Sequence, residues 1–328
     1  MRSLGAPSIM TLVLLLVVAF AAPPVMSFYS VPPYWFHVAI VAYFYAILAS
    51  SWSLLAGYAG QFSFGHMALM AVGAYTTGLL GRYMSFGVVE GIVSGTLLAG
   101  LFGVVIGYLC LRLRRTYLAL FTIAFSEILR LTLMAEHEFT EGPDGLPLTP
   151  LFATTSKVPA YYAMLGLLVV SLVFMYWLVN SRFGLFFRAI REDEEAAAAM
   201  GVHVVRYRVM VFTITSMIAG LAGAVEAHYV EIITPNIFLV LQMSIVIAMA
   251  VIGGLESLIA AAFGAIIIHF ALELLRPVGN WRMVVFGLLL MLTLRFFQNG
   301  LLHPLLQRMF RQRVLAETVA KRQVPSEG

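Results

Sequence analysis

Ser181-Arg-Phe-Gly-Leu-Phe-Phe-Arg-Ala-Ile-Arg-Glu-Asp-Glu-Glu-Ala-Ala-Ala-Ala-Met-Gly-Val-His-Val-Val-Arg-Tyr-Arg208 is a long charged stretch between two apolar ones. Before it, Ala160–Asn180 holds no charged residue; after it, Tyr207–Val225 holds only Arg208. A helix crosses the hydrocarbon core in about 20 mostly apolar residues, so both flanks read as membrane spans and the charged stretch as the loop joining them. Working outward, Met10–Met26, His37–Ala56, Ile92–Leu111, Tyr117–Met134 and Arg282–Leu302 read as further spans. Phe62–Leu80 is another, interrupted by Gly65, Gly73 and Gly78. Ile237–Leu275 is too long for one span, and Gly253-Gly254 with Glu256 near its middle divides it into two helices. The sequence therefore predicts an all-α fold, a polytopic transmembrane helix bundle of about ten spans (eight to ten).

Composition agrees. The chain of 328 residues is 61% hydrophobic and 11% charged, less than half the roughly 25% charge of soluble domains. Its single cysteine, Cys110, excludes an intrachain disulfide framework and a cysteine-based zinc site. The net charge of +4 reads as cytoplasmic arginine on a membrane protein and not as a nucleic-acid surface. With the N-terminus inside, fifteen Lys and Arg fall on inner segments, four on outer ones (Arg82, Lys157, Arg276, Arg282), and Arg130 within a span, which accounts for all 20. The positive-inside rule thus predicts both termini inside and puts the acidic loop Ala135–Pro159 outside. A cleaved signal peptide is the alternative for the first span, from Arg2, a short apolar core and Ala19-Phe20-Ala21. Residues 1–302 then form the membrane domain, with the loop 181–208 inside it, and 303–328 a polar cytoplasmic tail.

Within the charged loop, Glu194 to Met200 is strong helix-forming sequence. Asp193 and its neighbouring glutamates suit a helix N-terminus, and Gly201 suits the left-handed position just past a helix end. The loop is predicted to hold a short helix at the inner membrane surface, with Arg188 and Arg191 before it.

Glu195-Ala196-Ala197, three residues and then Gly201 matches the E-A-A-x-x-x-G motif of ABC importer permeases. The match extends to Ser181-Arg-Phe-Gly184, Arg188-Ala-Ile-Arg-Glu-Asp193, Ala219-Gly-Leu-Ala-Gly223, Gly57-Tyr-Ala-Gly-Gln-Phe-Ser-Phe-Gly-His66, Tyr117-Leu-Ala-Leu-Phe-Thr-Ile-Ala-Phe-Ser-Glu-Ile-Leu-Arg130, Gly142-Pro-Asp-Gly145 and Val251-Ile-Gly-Gly254. On these residues, from about 35 to 302, the chain resembles the branched-chain amino acid permease family of LivM type. The I-x-L-P that many importers place after the motif glycine does not occur. The resemblance implies a coupling helix that docks on a cytoplasmic ATPase. It further implies a heterodimer with a second related permease, two ATPase subunits inside and a substrate-binding protein outside. ATP and Mg would be bound by those partner subunits, with no cofactor in this chain, which is then not itself an enzyme. The implied cargo is a branched-chain amino acid or a similar small polar solute, and the implied location a bacterial inner membrane.

Ionisable groups within a span are costly and mark pairing or function. Glu127 and Arg130 stand three apart on one helix face and are expected to form a structural ion pair. Gln61, Ser63 and His66, where a loop enters a glycine-broken span, are candidates for the translocation path, and Gln242 is a weaker one. Glu226, His228 and Glu231 read as a solvated rim, and His269 as an interhelical hydrogen bonder. No G-x-x-x-x-G-K-[ST] phosphate loop is present. A secondary transporter would need intramembrane carboxylates on the path, and a membrane enzyme a catalytic constellation; neither pattern stands out.

Overall fold

The computed structural model describes residues 19–24, 32–109, 115–279 and 281–296. Most of the expected first span and all of the tail 303–328 lie outside them, as does Cys110; residues 19–24 are helical. Helix α1, Pro33–Ser53, begins on a proline, whose missing N–H costs nothing at a helix start. It runs on through a wider π-helical turn, Leu54–Tyr58. Then follow α2 (His66–Met84), α3 (Val88–Leu109), α4 (Arg115–Ala135), α5 (Val158–Asn180), α6 (Arg182–Glu192), α7 (Glu194–Ala199), α8 (Val204–Val230), α9 (Val240–Gly253), α10 (Leu258–Leu274) and α11 (Trp281–Phe296).

Among the described residues five helices are long and apolar enough to cross a membrane: α1 with its π turn, α3, α4 from Tyr117, α5 and α8. The pair α9–α10 makes a sixth if counted as one broken span, bent by 119°. Its break falls at Gly254, φ +135°, where the sequence divides the long apolar run. At 14 and 17 residues, each arm is shorter than the roughly 20 residues a full crossing takes. Helix α2 is less apolar than its neighbours. It is buried along most of its length between α3 and α8, so it needs no lipid-facing surface.

Small residues set this packing. A Cβ on Gly73 of α2 would overlap the backbone of Gly220 in α8, and one on Gly95 of α3 would overlap the carbonyl of Gly73. Three helices thus meet backbone to backbone, as small-residue faces allow in membranes. Helix α1 is the hub on the other side, lying against α10, α5 and α8, and nearly every residue from Phe36 on is buried. At one end of the bundle the loop after α4 folds over α8 through a two-residue antiparallel pairing, Leu146 opposite Ile233 and Pro147 opposite Ile232. Helices α6 and α7 occupy the opposite end.

Candidate functional site

The charged loop folds as two helices, one more than its cap signals predict. Ser181 caps α6, its hydroxyl accepting from the Phe183 amide at 3.2 Å. Gly184 sits so close to Val179 that any side chain would overlap the backbone there, which makes the sharp exit from α5 possible. Gly184, Phe187 and Ile190 form one buried face of α6. Leu185, Arg188 and Glu192 lie on other faces, so the helix rests lengthwise on the bundle end.

Helix α7 starts and stops where the sequence predicts. The Asp193 carboxylate accepts from the amides of Glu195 and Ala196, both at 3.0 Å. At the other end the Gly201 amide donates to the Ala198 carbonyl at 3.0 Å and the Val202 amide to the Ala197 carbonyl at 3.1 Å. These two bonds with Gly201 at φ +84° are a Schellman ending. Ala197 is turned inward, whereas Glu195, Ala196, Ala199 and Met200 are exposed. Met200 is 85% exposed, an apolar tip that the motif reading passes over because its motif position accepts any residue.

Long-range contacts fasten this helix pair to two turns of the bundle. The Arg191 guanidinium donates to the Gly57 carbonyl and pairs with Glu256. Gly57 lies in the π turn ending α1, and Glu256 in the turn between α9 and α10. The two turns also touch directly. A Cβ on Gly57 would overlap the Leu255 carbonyl, to which Ser53 donates at 2.7 Å, while Ser50 donates to the Leu258 carbonyl at 3.1 Å. Arg188 stacks over the Tyr58 ring at 5.2 Å. On the far side of α7, Glu194 pairs with Arg208 in the second turn of α8 at 2.6 Å. Helices α6 and α7 are therefore tied at once to α1, to the α9–α10 turn and to α8. Glu256, which the sequence places at the division of the long apolar run, is engaged by the chain's own Arg191.

The residues expected to line a path are placed in two groups. Gln61, Ser63 and His66 are buried in protein between α1, α4 and α8. The Gln61 amide donates to the Arg208 carbonyl at 3.3 Å, and the Trp52 indole to the Ser63 carbonyl at 2.7 Å. The Ser51 hydroxyl donates to the Thr215 carbonyl at 3.1 Å, so its oxygen accepts from His66 Nε2 at 3.0 Å. His66 Nδ1 is buried and has no partner among the described residues. Gln242 lies apart, near the far end of α9, and accepts from the Tyr45 hydroxyl at 3.4 Å.

Glu127 and Arg130 form the expected pair, with one bond at 2.9 Å, and Arg130 also reaches the Met134 sulfur at 2.9 Å. His228 is not on a solvated rim. It is buried, with Nδ1 donating to the Thr149 carbonyl at 2.8 Å and Nε2 bonded to Thr77 at 2.7 Å. Its partners are too distant along the chain to be seen in its local sequence.

Comparison with known proteins follows the same outline. The profile of a family described as "Branched-chain amino acid transport system / permease component" matches residues 34–294. The high-affinity branched-chain amino acid transport system permease protein LivM of Escherichia coli is 30% identical over 319 residues, 89% of this chain and 74% of that protein. The LivH permease protein of the corresponding system in E. coli is 25% identical over 284 residues, 79% of this chain and 91% of that protein. The autoinducer 2 import system permease protein LsrC of Yersinia pseudotuberculosis is 30% identical over 193 residues, 54% of this chain and 53% of that protein. No solved structure matches.

Proposed function

The chain belongs to the permease family of branched-chain amino acid transport systems, and from that membership we propose how it works as one membrane-spanning subunit of an ABC importer. The observation that carries the reading is Arg191, which joins the capped loop helices to both glycine turns of the bundle. ATP binding closes two partner ATPase subunits and draws the docked α7 of this chain toward that of a second, related permease. Glu195, Ala196 and Gly201 shape the docking surface, with Met200 at its tip. Ala197 and Arg188 hold α7 and α6 on the bundle. Arg191 passes the displacement to the α1 and α9–α10 turns, and the bundle switches from outward to inward facing. The chain itself catalyses no reaction and carries no cofactor; ATP and Mg reside on the ATPases.

In this reading the bundle is oriented with α6 and α7 on the cytoplasmic side of a bacterial inner membrane and both termini inside. Helix α2 and the two arms α9 and α10 each count as spans, and with the first span and α11 the total is about ten. Residues 1–302 are the membrane domain and 303–328 the tail. The cargo, a branched-chain amino acid or a similar small polar solute, is selected by an external binding protein. The path passes Gln242, while Gln61, Ser63 and His66 brace the turn beside it. Crosslinking tests the docking directly. A cysteine at Ala196, in the cysteine-free Cys110→Ser background, should crosslink to an ATPase subunit and do so faster with ATP bound. Equal yield from a cysteine at Val89, on an exposed face of α3 near the opposite end, would count against it.

A further inference from the structure

At the end of the bundle opposite α6 and α7, the loop after α4 roofs a cleft of about 410 Å³ beside α1, α5 and α8. At about 1.5 Å per residue, the 27 residues of α8 put it on the other side of the membrane from the loop helices. Its roof is pinned. The Leu148 amide donates to the Glu231 carbonyl at 2.8 Å and the Leu151 amide to the His228 carbonyl at 2.9 Å, while the His228 ring is held by Thr77 and Thr149.

Two opposite charges line this cleft without meeting. Lys157 is partly buried, and its ammonium makes no ion pair or hydrogen bond among the described residues. It is also the N-cap residue of α5, where the helix dipole disfavours a cation. An anion in the cleft would be attracted by both the ammonium and the helix end. Glu231 is likewise unpaired among the described residues and stands at φ +67°, a left-handed conformation that a glutamate adopts only at a cost. Leu151 and Phe152 in the same lining supply apolar surface. On the α1 side His37 lines the cleft with Nδ1 bonded to the Tyr229 hydroxyl at 2.8 Å, and its Nε2 has no hydrogen bond among the described residues. A ligand that satisfies this set carries one anionic and one cationic group close together and an apolar body.

We propose that the cleft is a receiving site for a free aliphatic α-amino acid, with Lys157 taking the carboxylate, Glu231 the ammonium group and Leu151 with Phe152 covering the side chain. The proposal rests on the permease reading and adds to it a site of recognition in the membrane subunit. The way onward is polar as well. Glu226 lies within electrostatic range of Tyr229 and Tyr45, and Tyr45 meets Gln242 and the His269 ring, the latter at 5.4 Å between centroids. This seam leads from the cleft toward the middle of the membrane, along α1, between α8, α9 and α10.

The experiment uses the complete importer in proteoliposomes, with this chain carrying Thr155→Cys, a lining residue outside the proposed contacts, in the Cys110→Ser background. A membrane-impermeant maleimide reports on the cleft. L-leucine, L-valine and L-isoleucine at millimolar concentration should slow labelling. Isoamylamine and 4-methylpentanoate, each lacking one charge, should not. Adding Lys157→Ala should raise the half-protecting leucine concentration on the order of tenfold, and Lys157→Arg should restore part of it. Unchanged labelling with all three amino acids overturns the proposal, as does protection that Lys157→Ala leaves intact. ATP-driven uptake is measured in the same vesicles. If it is present without protection, the receiving site fails and the permease reading stands; if it is absent, the permease reading itself fails.

Discussion

Replacing Gly201 with alanine isolates one physical quantity. The residue is at φ +84°, and a Cβ built there meets no atom within 4 Å. Steric overlap therefore contributes nothing, and the whole effect is the left-handed conformation, which costs an L-residue about 1–2 kcal/mol. That energy acts on a helix of six residues, ended by two hydrogen bonds of 3.0 and 3.1 Å. A cost of this size lowers the population of the Schellman ending by a factor of roughly five to thirty. The membrane bundle does not depend on it, so the chain should stay folded and inserted. In proteoliposomes containing the whole importer, Gly201→Ala is expected to reduce ATP-driven uptake by up to that factor. Gly201→Asn should keep most of it, because asparagine reaches the left-handed region more readily. Circular dichroism and gel filtration in detergent should leave all three proteins alike. If the alanine variant transports as well as the parent, or asparagine is as defective as alanine, the conformation at Gly201 is not what the coupling helix needs.

Arg191→Lys should retain insertion but transport poorly, because one ammonium does not reproduce a guanidinium that serves the Gly57 carbonyl and Glu256 together. Its stability loss in thermal unfolding should stay near 1 kcal/mol, since the ion pair is partly exposed. Asp193→Ala removes the cap of α7 and about 1 kcal/mol of local stability; uptake should fall and be recovered by Asp193→Ser. Gly73→Ala forces α2 away from α8 and should destabilise the folded bundle by about 1–3 kcal/mol, seen as a lower detergent unfolding temperature.

What was legible in the sequence was what is local. The cap at Asp193, the stop at Gly201 and the break at Gly253-Gly254 each depend on residues within a few positions, so their chemistry shows in a short window. The spans α1, α3, α4, α5 and α8 were legible because lipid demands continuous apolar sequence. Helix α2 carries a weaker signal, because protein and not lipid surrounds it. The partners of Arg191 lie 134 and 65 residues away, and those of His228 lie 151 and 79 away. No local pattern announces such contacts. The motif marked the segment that forms α7 but not the link that joins it to the bundle, and it left Met200 unmarked. Burial was equally hidden for Gln61, Ser63 and His66, since a polar residue at a broken helix reads the same whether it faces a channel or a neighbouring helix.

In the proposed mechanism this chain moves a small solute through work done by partner ATPases on α6 and α7. Uptake of radiolabelled L-leucine into proteoliposomes containing both permeases and both ATPases, with the binding protein added outside, tests it most directly. Uptake should need internal ATP and the binding protein, persist when ion gradients are collapsed, and be lost in Gly201→Pro. Uptake that continues without the ATPases and follows an imposed ion gradient would contradict it.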